Sequence, residues 1–263
     1  MDLGLSGKVA LVAAASKGLG KASALALAGE GARVAICART QAELEATAAE
    51  IRDAAGAEVL AVAAHITDAV DIERVVAATL DEFGALDVLV ANSGGPPVGK
   101  FDALSDDDWE RGFQIVTLSF VRFLRAAVPH MRAAGWGRIV AIQSTSVKEP
   151  VEHIDLSNGI RPGIAGLAKA LMPDLARDGI TINLVLPGMF QTSRINPAFE
   201  SGDLGAEAQA REQLAPVAAT IPVGRLGEPG ELGALVAFLA SEQASYITGA
   251  VHQVDGGRVH TNV

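Results

Sequence analysis

Lys8-Val9-Ala10-Leu11-Val12-Ala13-Ala14-Ala15-Ser16-Lys17-Gly18-Leu19-Gly20 is the stretch that decides the fold. Its first six residues are nearly all apolar and of strand length, a turn of small residues follows, and the helix-like run Lys21 to Glu30 begins at once. That succession has a specific chemical use. The first N–H groups of a helix have no intrahelical acceptor and sit at the positive end of its dipole, so a diphosphate can approach them closely where side chains are absent. Gly18 and Gly20 supply that absence. A glycine-containing strand-to-helix turn is also structurally ordinary, so the remainder of the chain must decide between the two readings.

Strand-like apolar runs recur at Val9 to Ala13, Arg33 to Cys37, Val59 to Ala63, Val88 to Ala91, Arg138 to Ile142, Thr181 to Leu186 and Val251 to Val254, with helical stretches between them. Seven strands alternating with helices predict an α/β domain, a seven-stranded parallel sheet with helices on both faces. Some helix ends are explicit. Asp68 precedes Ala69 to Phe83, which stops at Gly84, and Glu228-Pro229 opens the run to Leu239. Ligands of such sheets bind at the carboxyl ends of the strands, which here are Ala14 to Gly20, Asn92 to Gly95, Ser144 and Pro187-Gly188.

Composition narrows the partners. The 263 residues have 31 acidic against 21 basic side chains, a net charge of −10, which opposes attraction to nucleic acid or to an anionic membrane surface. No apolar run approaches the ~20 residues of a spanning helix and Met1-Asp2-Leu3-Gly4-Leu5 has no basic region, so a cytoplasmic location is expected. Hydrophobic residues make up 49% and aromatic ones 4%, implying a core of Ala, Val, Leu and Ile between sheet and helices. The single cysteine, Cys37, lies in an apolar run; it can form neither an internal disulfide nor a zinc cluster, and no metal is expected.

Across essentially its whole length the chain resembles the short-chain dehydrogenase/reductase family. The family's Thr-Gly-x-x-x-Gly-x-Gly turn matches Ala13 to Gly20 with alanines at the first two positions, and its Asn-Asn-Ala-Gly segment matches Ala91-Asn92-Ser93-Gly94. Its Pro-Gly-x-x-x-Thr contact matches Pro187-Gly188-Met189-Phe190-Gln191-Thr192, preceded by Asn183; Ile247-Thr248-Gly249 and Asp255-Gly256-Gly257 match its closing segments. The resemblance implies one Rossmann domain over residues 1–263, with a substrate lid over 189–221. It implies a nicotinamide cofactor held by Ala14, Ser16, Lys17, Gly18, Leu19, Gly20, Arg39, Ile66, Asn92, Gly94, Arg161, Pro187, Gly188 and Thr192. NADP(H) is preferred over NAD(H) on this reading, because the second strand ends Cys37-Ala38-Arg39 without an acid, and Lys17 and Arg39 converge in the family frame on the adenosine 2′-phosphate. The alternative is that both are solvated surface cations. The closing Ala250 to Gly257 segment matches the family's subunit-contact region and implies a homo-oligomer, a tetramer.

The catalytic set departs from the family. There, a serine polarises the carbonyl, a tyrosine thirteen residues later exchanges the proton, a lysine four further on lowers its pKa, and an asparagine on an earlier helix holds a relay water. Here the serine is Ser144, the tyrosine position is Ser157, the lysine position is Arg161, and Val116 replaces the asparagine. The chain's one tyrosine, Tyr246, lies far outside the segment. A serine hydroxyl is a far poorer acid than a phenol, and a guanidinium cannot hand a proton on, although it can bind a ribose hydroxyl or hold an anion. His153, in the loop before Ser157, is a candidate replacement acid, or else an ordinary surface histidine. Ser157 also fits a helix N-terminal cap with Pro162 in the first turn, in which case Ser157 and Arg161 need not share a helical face.

Two functions are therefore expected in competition. One is an oxidoreductase acting on a small or medium carbonyl or alcohol through Ser144, in which case truncating Ser157 is nearly silent. The other is a nucleotide-binding protein without dehydrogenase turnover, serving as sensor, scaffold or partner subunit.

Overall fold

The computed structural model describes residues 1–261; the last two residues of the expected 1–263 domain lie outside the described residues. In chain order the elements are β1 (Val9–Ala13), α1 (Gly18–Gly29), β2 (Arg33–Ala38), α2 (Gln41–Ala55), β3 (Val59–Ala63), α3 (Ala69–Phe83) and β4 (Val88–Ala91). Then come α4 (Asp106–Phe113), α5 (Ser119–Ala134), β5 (Gly137–Ile142), α6 (Asp155–Arg177), β6 (Ile180–Pro187), α7 (Leu204–Gln213), α8 (Ala215–Ala218), α9 (Pro229–Ala240) and β7 (Val251–Val254). The seven strands form one sheet in the order β3-β2-β1-β4-β5-β6-β7, and every neighbouring pair is parallel. This is the expected α/β architecture.

Strand residues alternate between two cores, as the two-residue repeat of an extended chain requires. Leu11, Ala35, Leu89, Ile139 and Ile182 pack with α3, α5 and α6 on one face. Val12, Ile36, Val90, Val140 and Val185 pack with α1, α2 and α9 on the other. Cys37 is wholly buried among them, and that burial pushes its thiol up to about 12, so it is an inert core residue. β2, β5 and β6 run slightly past their expected ends because their neighbours continue the ladder, through Ala38 with Ala63, Gly137 with Ile180 and Pro187 with Val254.

The legible helix ends are built as their residues require. Asp68 accepts the Val70 N–H at 2.9 Å, and Gly84 closes α3 at φ 74°, a left-handed conformation that suits glycine. Glu228 and Glu231 form a reciprocal cap at the start of α9, with Pro229 in the first turn. Two features differ from expectation. α6 starts at Asp155, so Ser157 lies inside its first turn and Pro162 lies well within the helix; neither marks the helix start. The reason is non-local: the Asp155 N–H donates to Gly99 O at 3.1 Å, its carboxylate accepts from the Phe101 N–H at 2.9 Å, and Asn158 clasps both backbone groups of Val151. Between α4 and α5 the helix widens into a π-type turn over Gln114–Leu118, with Val116 buried inside it.

α1 and α9 approach closely at Gly233, where an added Cβ would stand 2.6 Å from the Ala22 carbonyl oxygen. Replacing Gly233 with alanine therefore forces the two helices apart and is expected to destabilise the fold by about 1–3 kcal/mol, seen as a lower Tm in thermal unfolding. Gly230→Ala, where no atom lies within 4 Å, leaves Tm unchanged or slightly higher.

Candidate active site

At the carboxyl ends of the strands a cleft of about 1340 Å³ opens along the β1–α1 turn, the end of β2 and the segment after β4. It brings together Ala14, Ser16, Lys17, Gly18, Leu19, Arg39, Ile66, Asn92, Gly94 and Thr192, all of them expected cofactor residues. Gly20 stands behind this lining. A Cβ there would lie 2.4 Å from Ala14 O and 2.9 Å from the Asn92 amide nitrogen, which itself donates to Ala14 O at 3.2 Å. The turn is thus closed so tightly that only glycine fits. Ala14 holds φ 50°, a conformation costing a non-glycine residue about 1–2 kcal/mol, where the family pattern has a glycine. Lys17 gives the start of α1 no side-chain cap, and the Gly18 N–H donates instead to Glu200 Oε1 at 2.8 Å. That carboxylate oxygen stands in for an anionic ligand oxygen such as that of a phosphate, so the start of α1 is already disposed to hold an anion.

At the far end of the cleft the acid-free reading needs correction. Glu43, in the first turn of α2, lines the cleft with Arg39; its carboxylate lies 3.9 Å from Lys17 Nζ and accepts from Ser16 Oγ at 3.4 Å. Lys17 is therefore partly engaged by an acid that is local in space and distant in sequence. Pro187 and Gly188 end β6 outside the cleft lining, with Gly188 pressed on the backbone of Asp255, 2.8 Å from where a Cβ would stand. Asn183 is structural: its amide donates to Ile247 O at 2.8 Å and accepts from the Ala250 N–H at 3.2 Å.

The second half of the site is a chain of polar side chains between β5 and α6. Arg161 is only 6% exposed, Ser157 only 5%. Arg161 Nε donates to Ser157 Oγ at 2.9 Å, and its Nη1 donates to Gln143 Oε1 at 3.0 Å. Ser157 and Arg161 do share a helical face, one turn apart. Ser157 Oγ lies 3.4 Å from Ser146 Oγ, and the Ser146 N–H donates to Ser144 Oγ at 3.2 Å. Ser144, half-buried, also caps the short turn Thr145–Val147, so its capping and site positions coincide. Burial and then the nearby charge of Arg194 push the Arg161 guanidinium down to about 10, which leaves it a cation at neutral pH.

The other candidates stand apart. His153 is exposed, with φ 64°, in the loop before α6. Val116 is 2% exposed and apolar, and Tyr246 is fully exposed. Among the described residues no group of His, Cys, Asp or Glu could hold a metal ion, and no helix is long and apolar enough to cross a membrane. Sequence reading missed Gln143, Ser146, Glu43, Arg194 and Glu200. Gln143 and Ser146 flank Ser144 and could have been found by asking which polar residues share its strand end; the other three arrive from distant segments with no local signal.

This geometry has known counterparts. A family model described as Enoyl-(Acyl carrier protein) reductase matches residues 13–258. The chain is 34% identical over 254 residues to dehydrogenase/reductase SDR family member 4 of Oryctolagus cuniculus, covering 96% of this chain and 94% of that protein. It is 34% identical over 257 residues to 3-oxoacyl-[acyl-carrier-protein] reductase FabG of Vibrio cholerae, covering 97% and 98%. Among solved structures, L-sorbose reductase from Gluconobacter frateurii, complexed with NADPH and L-sorbose, superposes with TM-score 0.90 at 30% identity over 99% of this chain and 100% of that one. An NADPH-bound short-chain oxidoreductase from Pseudomonas aeruginosa PAO1 containing an atypical catalytic center gives TM-score 0.89 at 30% identity over 98% and 99%. Fold and site together define a Rossmann-type oxidoreductase scaffold. The chain belongs to the short-chain dehydrogenase/reductase family.

Ser157 is the acceptor that satisfies a buried guanidinium N–H, so its truncation bears on the fold, separately from any effect on turnover. Ser157→Ala is expected to cost about 1–3 kcal/mol of stability, measured by denaturant unfolding, because a charged donor loses its partner inside the protein. Ser157→Thr, which keeps the hydroxyl, restores most of that loss.

Proposed function

We propose that the protein is an NADP(H)-dependent oxidoreductase that interconverts a small or medium carbonyl compound and its alcohol through a site without tyrosine. The observation that carries this reading is the Arg161–Ser157–Ser146–Ser144 chain at the end of β5, where the family keeps its catalytic groups. The nicotinamide cofactor supplies or removes the hydride. The residues that would hold it are those of the cleft, with its diphosphate at the start of α1, Asn92 and Gly94 beside it, and Thr192 across from Gly18. Glu200 has to leave the Gly18 N–H for that to happen, which supports the segment 189–221 as a lid.

The roles of the side chains follow from their bonds. Ser157 Oγ accepts from Arg161, so its own O–H is free to donate, and donation from a cation polarises it. Ser144 and Ser157 are then two hydroxyl donors for a carbonyl oxygen on which negative charge develops as hydride arrives at carbon. Neither is an acid of useful strength near neutrality, so the proton that completes the alcohol comes from solvent. In the reduction direction one carbonyl, one hydride and one proton give one alcohol and oxidised cofactor.

Lys17 and Arg39 support a preference for NADP(H), since both are cations at the cleft end remote from Ser144. Glu43 opposes it by drawing Lys17 away and repelling a phosphate. We give the two cations more weight, because an exposed ion pair at 3.9 Å is worth little in water. β7 forms one edge of the sheet, with an unpaired rim that supports assembly into a homotetramer, for which sedimentation velocity is the direct test.

Fluorescence titration is expected to show NADPH binding more tightly than NADH, with Arg39→Asp reversing the order; equal affinities in the unmodified protein would sink the cofactor preference.

Turnover across a panel of ketones, aldehydes and alcohols tests the enzyme reading. Ser144→Ala should lower kcat by about 10²–10³ while leaving NADPH affinity unchanged, as loss of one oxyanion donor does elsewhere. Tight NADPH binding with no turnover on any member of the panel would favour a nucleotide-binding protein that does no hydride chemistry.

A further inference from the structure

Arg161 is a buried charge without a counter-charge. The acceptors of its two hydrogen bonds, Ser157 Oγ and Gln143 Oε1, are both neutral. Of the five N–H donors of a guanidinium, both on Nη2 are uncommitted in these bonds. Among the described residues no aspartate or glutamate forms an ion pair with Arg161. The charged group it feels most is a second cation, Arg194, which lines the cleft and donates to Gly94 O from the segment after β6. Arg111 lines the same cleft.

Holding a cation out of water costs several kcal/mol unless an anion meets it, and a neighbouring cation adds to that cost. Arg138, the other deeply buried arginine, is compensated by three backbone carbonyls and the charge of Glu242, whereas Arg161 has two neutral acceptors and a neighbouring cation. The anion must then come from outside, and its position says which molecule brings it. The cofactor's phosphates belong at the start of α1 and beside Arg39, across the sheet from α6. A cofactor ribose hydroxyl, which the family resemblance would bring to Arg161, is neutral and would leave the charge uncompensated. What remains is the substrate.

Resting on the reading of this site as one that acts on a carbonyl or alcohol, we infer that the substrate is a 2-oxo carboxylate or the matching 2-hydroxy acid, its carboxylate held by Arg161 and Arg194. Arg161 is bonded to Ser157 through Nε at 2.9 Å, so the N–H groups left for a ligand are on its Nη atoms, next to the hydroxyl proposed to meet the carbonyl oxygen. The guanidinium fork is a donor set suited to the two oxygens of a carboxylate. Ile115, Pro96 and Pro97 line the same cleft and offer an apolar surface to a short side chain on the acid.

The test reads binding rather than turnover. Pyruvate, 2-oxobutyrate and 4-methyl-2-oxopentanoate, each against its methyl ester, are titrated by calorimetry into the protein saturated with NADP⁺. The fluorescence of Trp109, whose ring lies 3.1 Å from where a Cβ on Gly159 would stand in α6, gives a second signal. The acids are expected to bind at least tenfold more tightly than the esters. Arg161→Gln and Arg194→Gln each lower the acid-to-ester affinity ratio to about one. Arg161→Gln is checked for folding by circular dichroism. Arg194, at the exposed rim, and the acid-to-ester ratio of the unmodified protein keep the test decisive if Arg161→Gln does not fold. Equal affinity for acid and ester, or an acid preference that survives Arg194→Gln together with a folded Arg161→Gln, overturns the inference. Acid binding without turnover would support the anion site and overturn the reductase reading, whereas turnover confined to neutral ketones, with no acid preference, would do the reverse.

Discussion

β1 pairs with β2 on one side and with β4 on the other, and the chain leaves these two strands toward opposite faces of the sheet. That divergence opens the only kind of crevice a parallel sheet offers to a ligand without disturbing its ladder. The rest of the site depends on it. The turn after β1 can press its glycines against backbone because α1 is fixed below by α9, and the segment after β4 can reach across because only the short turn Phe101–Ala103 intervenes before α4. The polar chain of Ser144, Ser146, Ser157 and Arg161 then needs only the end of β5 and the first turns of α6 to be held beside the same crevice. The bonds of Asp155 to Gly99 and Phe101 do that.

Within this frame Ser157, Arg161 and Val116, which the family resemblance sets at the tyrosine, lysine and asparagine positions, are all buried. Val116 is an apolar core residue in the widened turn Gln114–Leu118. Ser157 and Arg161 have become mutually dependent, since the hydroxyl satisfies the guanidinium and the guanidinium orients the hydroxyl. A phenol–ammonium pair moves a proton. A hydroxyl–guanidinium pair cannot, but it concentrates positive potential where a phenol would be neutral. On the proposed function, the replacement exchanges acid–base chemistry for electrostatics.

Much of this was readable in the sequence, and the remainder was hidden for definite reasons. The strands announced themselves because a sheet buried on both faces demands unbroken apolar runs, and β1, β3 and β4 fall where those runs lie. The cleft itself was legible because Gly18, Asn92 and Thr192 each stand in a short motif following a strand end, where a parallel sheet opens. The start of α6 was misread because Ser157 and Pro162 look like helix-start residues, whereas Asp155 is held by a loop more than fifty positions earlier. Glu43 and Glu200 were invisible for the same reason: each reaches the cleft from an element whose approach is set by tertiary packing, which no local pattern encodes.

The contact between Glu200 and the Gly18 N–H makes occupancy of the start of α1 a competition between two anions, one of them tethered. A tethered carboxylate has an effective concentration that dilution cannot lower, so any ligand phosphate meets a rival that is always present. The affinity observed in solution is then the intrinsic affinity multiplied by the fraction of molecules whose carboxylate has already departed; if that fraction is ~0.1, binding weakens about tenfold without any change in the cradle itself. Arg194 belongs to the same segment, so on the proposed lid reading a departure of Glu200 carries Arg194 with it and changes the electrostatic surroundings of Arg161.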